Sequence, residues 1–151
     1  MTPSIHDNQL ISYEVQCERR TVTLRTEYRE KNKPMEFTNV VFERVQGYHF
    51  QNDAFGNIVF DVAEVAAEQF VPEYGAEISE LHRMTGSPTW AVDLASALEH
   101  LHEQGIKAFV LSSSIGLSGW VLAEDMSIVS VGEAVSADLP RATYPDSGPQ
   151  P

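Results

Sequence analysis

The sequence predicts an α+β fold in which a largely antiparallel sheet carries two or three helices on one face. Alternating apolar and polar residues dominate the chain as far as residue 62, segments rich in Ala, Glu and Leu follow, and apolar strand-like runs return before residue 131. Strands followed by helices, rather than alternating with them, are typical of α+β domains. The predicted sheet consists of an N-terminal four-strand meander plus a C-terminal hairpin.

The first two strands are predicted from residues that alternate between two faces. In "LISYEVQC" the residues on one face are Ile11, Tyr13, Val15 and Cys17, and after the polar turn "ERR" the segment "TVTLRTEY" repeats the pattern. A period of two residues indicates a half-buried strand, and the short turn predicts a hairpin. Cys17 on the apolar face is expected to be a buried and inert thiol.

Two further strands are predicted to complete the meander over residues 10–62. The segment "EFTNVVFERVQGYHF" is aromatic and β-branched, and Gly47 within it predicts a bend. The turn-rich "NDAFGN" then leads into "IVFDV", in which Ile58, Phe60 and Val62 alternate.

Helices are predicted for the middle of the chain. The segments "AEVAAEQF" and "GAEISELHRM" are expected to form two helical pieces that Pro72 separates or kinks, and Gly86 is expected to end the second. In "SPTWAVDLASALEHLHEQG" we expect a helix with Ser87 as N-cap, Pro88 at the first position and Gly105 as the C-terminal stop.

Strands are predicted again for the segment "KAFVLSSSIGLSGWVLAEDMSIVSV". The runs Phe109–Leu111 and Trp120–Ala123 are apolar throughout, which is typical of strands buried on both faces. We therefore expect residues 1–131 to form one α+β domain and residues 132–151, which are poor in apolar residues, to form a flexible C-terminal tail.

Composition predicts a cytoplasmic protein that does not insert into a membrane. No apolar run approaches the roughly 20 residues that span a bilayer, and the N-terminus lacks the basic start and apolar stretch of a secretory signal. Cys17 is the single cysteine, so no internal disulfide is expected.

Charge is distributed unevenly along the chain, whose formal net charge is −12. Seven basic residues in the first 44 positions are balanced there by seven acids, whereas 15 acids face only Arg83, Lys107 and Arg141 in the remainder. Such a negative field repels phosphate backbones, so nucleic acid is not expected as a partner. A basic protein, which the field attracts, is the expected partner. The alternative explanation is that acidity only maintains solubility.

Acidic side chains of the predicted helical region form the candidate partner-binding surface. A basic protein would find such a surface electrostatically complementary. The candidate residues are Glu64, Glu68, Glu73, Glu77, Glu80, Asp93, Glu99 and Glu103.

The stretch "SSSIGLSGW" invites a catalytic interpretation but matches no catalytic motif. A nucleophile elbow needs Gly-x-Ser-x-Gly, and the second glycine is missing; a phosphate loop needs a lysine and a following helix, and neither is present. Gly116 and Gly119 are better interpreted as turn or bulge positions that require positive φ or close backbone approach.

Histidines offer no convincing ligand or catalytic set. His100 and His102 are two apart on a predicted helix and point away from each other. His49 precedes Asp53 and Asp61, but a partly exposed strand histidine is the simpler interpretation. No catalytic residue, metal ligand or cofactor is predicted.

Two other hypotheses remain open. One is a small-molecule-binding or enzymatic domain with a pocket between sheet and helices, and its candidate residues are Tyr48, His49, Ser112, Ser114 and Ser118. The other is a self-associating protein that forms a homo-oligomer through free sheet edges.

Two segments carry a resemblance to a known class of protein. The stretches "GYHFQNDAFGNIVFDVAEV" and "SSSIGLSGWVLAED" resemble motifs of uncharacterised bacterial proteins that are associated with immunity proteins of contact-dependent toxin systems. The resemblance covers most of residues 10–131 and transfers no catalytic residue. It implies a small, cytoplasmic, often acidic protein that neutralises a toxin by occluding it.

Overall fold

The computed structural model describes residues 3–131, so the predicted tail, residues 132–151, lies outside the described residues. Four strands are followed by two helices and two more strands. The strands are β1 (Gln9–Gln16), β2 (Thr21–Tyr28), β3 (Glu36–Gln51), β4 (Ile58–Val65), β5 (Lys107–Ile115) and β6 (Ser118–Val131), and the helices are α1 (Ala67–Thr85) and α2 (Leu94–Glu103). The α+β class and the largely antiparallel sheet are confirmed.

All neighbouring strands are antiparallel, and the sheet closes into a barrel in the order β1-β2-β3-β6-β5-β4. The expected four-strand meander is wrong at its last step, because β4 pairs with β5 and β1 and not with β3. The edge of β3 is taken by β6, which pairs with it from Phe37↔Val131 to Gln51↔Ser118. The C-terminal hairpin of β5 and β6 is confirmed.

Register shifts interrupt three of the strand pairings, including that of β4 with β5 between Ile58 and Asp61. The register of β3 against β6 shifts between Val45 and Gly47, which confirms the predicted bend. In β1 the register against β2 shifts between Leu10 and Ser12. Leu10 therefore takes the inward position that the alternation assigned to Ile11, and Ile11 is 50% exposed.

The barrel interior is the main hydrophobic core. Its members from β2, β5 and β6 alternate along each strand, as the period of two requires, whereas in β4 the core residues are three apart across a register shift. Among them are Val22, Leu24, Val40, Phe42, Val59, Val62, Phe109, Leu111 and Val121. The prediction that Cys17 is buried is wrong: β1 ends at Gln16, and Cys17 lies exposed in the turn that follows.

Both helices pack on the outside of the barrel and form a second core with its wall. Phe70, Val71 and Ile78 of α1 and Leu101 of α2 contact this outer face. The strand residues in the same core include Ala108, Trp120 and Leu122. The chain segments Phe109–Leu111 and Trp120–Ala123 are thus covered from both sides, as predicted, and the number of helices is two.

Helix α1 runs without interruption through Pro72, so the expected separation into two helical pieces is wrong. Buried Phe70 and Val71 before Pro72 and Ile78 after it pack into the same outer core. The residues expected to begin the helix, from Ala63 to Val65, instead belong to β4. Gly86 ends the helix in the left-handed conformation with φ 76°, as predicted.

Helix α2 begins later than predicted. Ser87 and Pro88 lie in the connection between the helices, and Asp93 is the N-cap, its carboxylate accepting a hydrogen bond from Ser96 N at 2.7 Å. Asp93, whose side chain forms the cap hydrogen bond, therefore has the N-cap role that the sequence assigned to Ser87. Gly105 has φ 65° just after the helix, which confirms the predicted stop. Neither described helix is long and apolar enough to cross a membrane.

Candidate functional site

Glu77 on α1 fastens the helix to the barrel. Its Oε1 accepts a hydrogen bond from Trp120 Nε1 at 3.2 Å and lies 3.7 Å from His49 Nδ1. Trp120 is 4% exposed and stacks on His49, with ring centroids 6.2 Å apart. Because the indole needs a hydrogen-bond partner, Glu77 has a structural role that its helical position alone did not reveal.

Three more of the candidate acids are occupied within the chain. Glu68 Oε1 lies 2.7 Å from His102 Nε2, which ties α1 to α2. Glu80 pairs with Arg83 one turn further along α1. Asp93 caps α2.

The pKa values of two of these carboxyls follow from their contacts. The hydrogen bond and charge of Arg83 lower the pKa of Glu80, and the amide of Ser96 lowers the pKa of Asp93. Both are therefore ionised at neutral pH.

Glu64 lies apart from the other candidates. It pairs with Phe109, whose ring is in the barrel interior, and directly paired residues of antiparallel strands project to the same side. Glu64 therefore lies on the face of β4 that is opposite the helices, and its side chain is exposed.

Three acids remain free on the helices. Glu73, Glu99 and Glu103 are exposed and make no ion pair with any residue in 3–131. Glu99 and Glu103 are four apart and share the outward side of α2, opposite buried Leu101. Burial and the neighbouring Glu73 carboxylate raise the pKa of Tyr74, which keeps that phenol neutral.

The same helices expose large apolar side chains. Met84 is 73% exposed and Leu81 45% on the last turns of α1, and Val92 and Leu94 are 63% and 46% exposed where α2 begins. The exposure of these side chains was not predicted from the sequence. We call these four residues with Glu73, Glu99 and Glu103 the helix-layer surface.

Tyr48 and His49, candidates for the alternative pocket, project from β3 to opposite faces. The Tyr48 ring packs on the Phe50 ring, with the two ring centroids 5.4 Å apart, and the His49 ring packs on Trp120. The carboxylate beside His49 is that of Glu77, whereas Asp53 accepts hydrogen bonds from Tyr13 and Asn57.

The candidate serines are spread along β5 and β6. Ser112 Oγ donates to Asp61 O at 3.5 Å, Ser114 is exposed, and Ser118 begins β6 opposite Gln51. Among residues 3–131 no hydrogen bond joins these serines to His49 or Tyr48. The structure thus does not gather the candidate pocket into one hydrogen-bonded group.

The two glycines of the β5–β6 turn have the structural role that the sequence predicts. Gly116 has φ 90°, and a Cβ there would overlap the side-chain oxygen of Asn57. A Cβ on Gly119 would overlap the carbonyl oxygen of His49 in the paired strand. Gly116 therefore combines a positive φ with close approach of a side chain, whereas Gly119, within β6, allows close approach of the neighbouring strand's backbone.

The other histidines of the helical region also hold structure together. His82 Nδ1 donates to Pro88 O at 2.8 Å, and His100 stacks on Trp90 with ring centroids 4.8 Å apart. Within the described part of the chain, no group of three or more His, Cys, Asp or Glu is placed to hold a metal ion.

Comparison of the chain with protein-family models, with curated proteins and with solved structures found no match. The function is therefore argued from the geometry of the site itself.

Proposed function

We propose that this chain is a non-catalytic binding domain whose helix-layer surface binds a basic protein. The observation that carries the proposal is the combination on the two helices of free carboxylates with exposed apolar side chains, above all Met84 at 73% exposure. Apolar anchors surrounded by charged groups are typical of protein interfaces.

Charge gives the proposal its partner. Beyond residue 44 the basic residues of the described chain are Arg83 and Lys107, and Arg83 is already bound to Glu80. Glu73, Glu99 and Glu103 thus present negative charge that no ion pair within residues 3–131 neutralises, and this charge steers a positively charged surface toward the helices. Met84 and Leu81 then supply the apolar contact that slows dissociation.

The resemblance to immunity proteins supports a narrower version of the proposal, in which the partner is a toxin. A toxin that acts on a negatively charged substrate needs a basic cleft, and an acidic surface that covers this cleft blocks the substrate by occupying its place. Inhibition of this kind needs no catalytic group on the binding domain.

The test is capture from a lysate of the source cells with three immobilised baits at low and at high salt. The first is the wild-type chain, and the second carries Glu73→Lys, Glu99→Lys and Glu103→Lys. The third is the matched control with Glu18→Lys, Glu36→Lys and Asp61→Lys, three exposed acids on the strands and the first turn. It has the same net charge as the second bait, so only the position of the charge differs.

We expect one basic protein to bind the wild-type and control baits and to elute as the salt concentration rises. It should not bind the bait with Glu73, Glu99 and Glu103 changed to Lys, here called the helix-reversed bait. Equal loss from both variants would mean that net charge, and not the helix-layer surface, governs binding. Unchanged binding by the helix-reversed bait would refute the proposed surface.

A further inference from the structure

Phe55 is the most exposed large apolar residue described, at 95% of its full accessibility. It lies in the loop of residues 52–57 that joins β3 to β4, here called the Phe55 loop. A phenylalanine ring in water forfeits the burial that it could gain elsewhere, so such exposure on an otherwise ordered loop asks for an explanation.

The Phe55 loop is held rigidly. Asp53 Oδ1 accepts hydrogen bonds from Phe55 N at 2.8 Å and from Asn57 Nδ2 at 2.9 Å. Asn57 is 4% exposed, and its Oδ1 accepts from Ala54 N at 2.9 Å and from Leu117 N at 2.8 Å. The loop is thus anchored to the β5–β6 turn through one buried amide.

The first strand braces the loop from its other side. Tyr13 Oη donates to Asp53 Oδ2 at 3.0 Å, and Leu10 N donates to Asn57 O at 2.9 Å. These contacts fix where Phe55 points, because the residues on both sides of it are bound to the barrel. A rigid anchor loses little conformational entropy when it binds.

The backbone at Phe55 is in an unfavourable conformation. Its φ is 60°, in the left-handed region that a bulky side chain rarely adopts. Conformations of this kind persist where the surrounding structure enforces them, and they are concentrated at functional sites. Glycine or asparagine would be the residue of choice if this position served only as a turn.

Two further exposed apolar side chains lie on the strands that adjoin the Phe55 loop. Tyr13, bound to Asp53, is 40% exposed. Ile115, which pairs with Ile58 next to Asn57, is 52% exposed. The charged side chain of the loop is Asp53.

We propose that the Phe55 loop is a docking surface for a protein partner, with Phe55 inserting into an apolar cleft whose rim carries Lys or Arg. The aromatic anchor fits the cleft, and the negative charge of Asp53 beside the anchor attracts the basic rim of the partner. The formal net charge of −12 disfavours both an anionic membrane and a second copy of this chain as the occupant. The proposal does not depend on the helix-layer surface.

The test selects binders without assuming a partner. A displayed library of small proteins with randomised surfaces is selected on the immobilised full-length chain, and each clone is titrated against the wild type and four variants. Phe55→Ser removes the anchor, and Phe55→Leu restores an apolar one. Asp53→Asn removes the negative charge beside the anchor while keeping an acceptor for Phe55 N, and Met84→Ser is the matched control on the helices. Unchanged melting temperature of Phe55→Ser confirms that the loss is not one of folding.

We expect most clones to combine apolar residues with Lys or Arg. Their affinity for Phe55→Ser should be at least about tenfold lower than for the wild type. Their affinity for Phe55→Leu and Met84→Ser should stay within about twofold of that for the wild type. Asp53→Asn should weaken binding mainly at low salt.

Three results would overturn the proposal. The first is a set of clones that bind Phe55→Ser as well as they bind the wild type. If the binding of such clones is weakened only by Met84→Ser, the result also supports the helix-layer surface. The second is sedimentation with vesicles of phosphatidylcholine and phosphatidylserine that Phe55→Ser abolishes. The third is a doubled mass in solution that Phe55→Ser returns to that of one chain.

Discussion

Substitution of Gly116 by alanine tests the account of the β5–β6 turn most sharply. Gly116 has φ 90°, and alanine in the left-handed region costs about 1–2 kcal/mol. The new Cβ would also push the Asn57 amide out of its place, where it accepts from Ala54 N and Leu117 N. Loss of buried hydrogen bonds adds about 1–3 kcal/mol.

We therefore expect Gly116→Ala to lower the free energy of unfolding by about 2–5 kcal/mol, a large share of the roughly 5–15 kcal/mol of a typical domain. Urea unfolding followed by tryptophan fluorescence measures this. The midpoint should fall by about 1–3 M with an unchanged slope.

Two other glycines separate the contributions. Gly105 has φ 65° and open space around its Cβ position, so Gly105→Ala reports the backbone cost alone, about 1–2 kcal/mol. Gly56 has open space and no positive φ, so Gly56→Ala should change stability by less than about 1 kcal/mol. A cost for Gly116→Ala no greater than that of Gly105→Ala would refute the role given to Asn57.

Three further predictions concern single side chains. Asp93→Ala should destabilise the protein by about 1 kcal/mol, because α2 loses its cap, and Asp93→Asn should restore most of this in the same urea assay. Cys17 should react with a thiol reagent in the native protein as fast as in urea, since it is exposed, and protection would contradict its placement. Hydrogen bonds from Asn57, Phe55 and Tyr13 lower the pKa of Asp53. Its stabilisation is therefore present above the unfolded pKa of about 3.9 and is lost as pH falls through the lower folded value. The wild type should lose more melting temperature from pH 6 to pH 3 than Asp53→Asn, and parallel losses would argue against that network.

Local patterns predicted the strands well but not how they close. The alternation in β2 and β4 identified Val22, Leu24 and Val62 as core residues, and all three lie inside the barrel. Phe60, which the alternation placed on the same face as Val62, is 50% exposed, because the register of β4 against β5 shifts between Val59 and Asp61. Strand order depends on which long strands pair, and nothing local to β3 revealed that β6 would take its free edge. The bulge after Leu10 likewise reversed the facing of Ile11 by inserting a single residue.

The candidate site was predictable in composition and not in geometry. Sequence located the acids on the helical region, but it could not show that Glu77 holds Trp120 or that Glu68 meets His102, because those partners lie far away along the chain. Phe55 was assigned to a turn, and its exposure depends on the buried amide of Asn57, which only the folded chain reveals.

We propose that the helix-layer surface steers and binds a basic protein. The association rate of the purified captured partner, measured by stopped-flow fluorescence as ionic strength rises, tests this proposal. We predict that the wild type and the Glu18, Glu36 and Asp61 control associate rapidly and lose rate with salt. Reversal of Glu73, Glu99 and Glu103 should slow association by about tenfold or more at low salt and flatten the salt dependence. Identical rates and identical salt dependence for the two variants would contradict the claim.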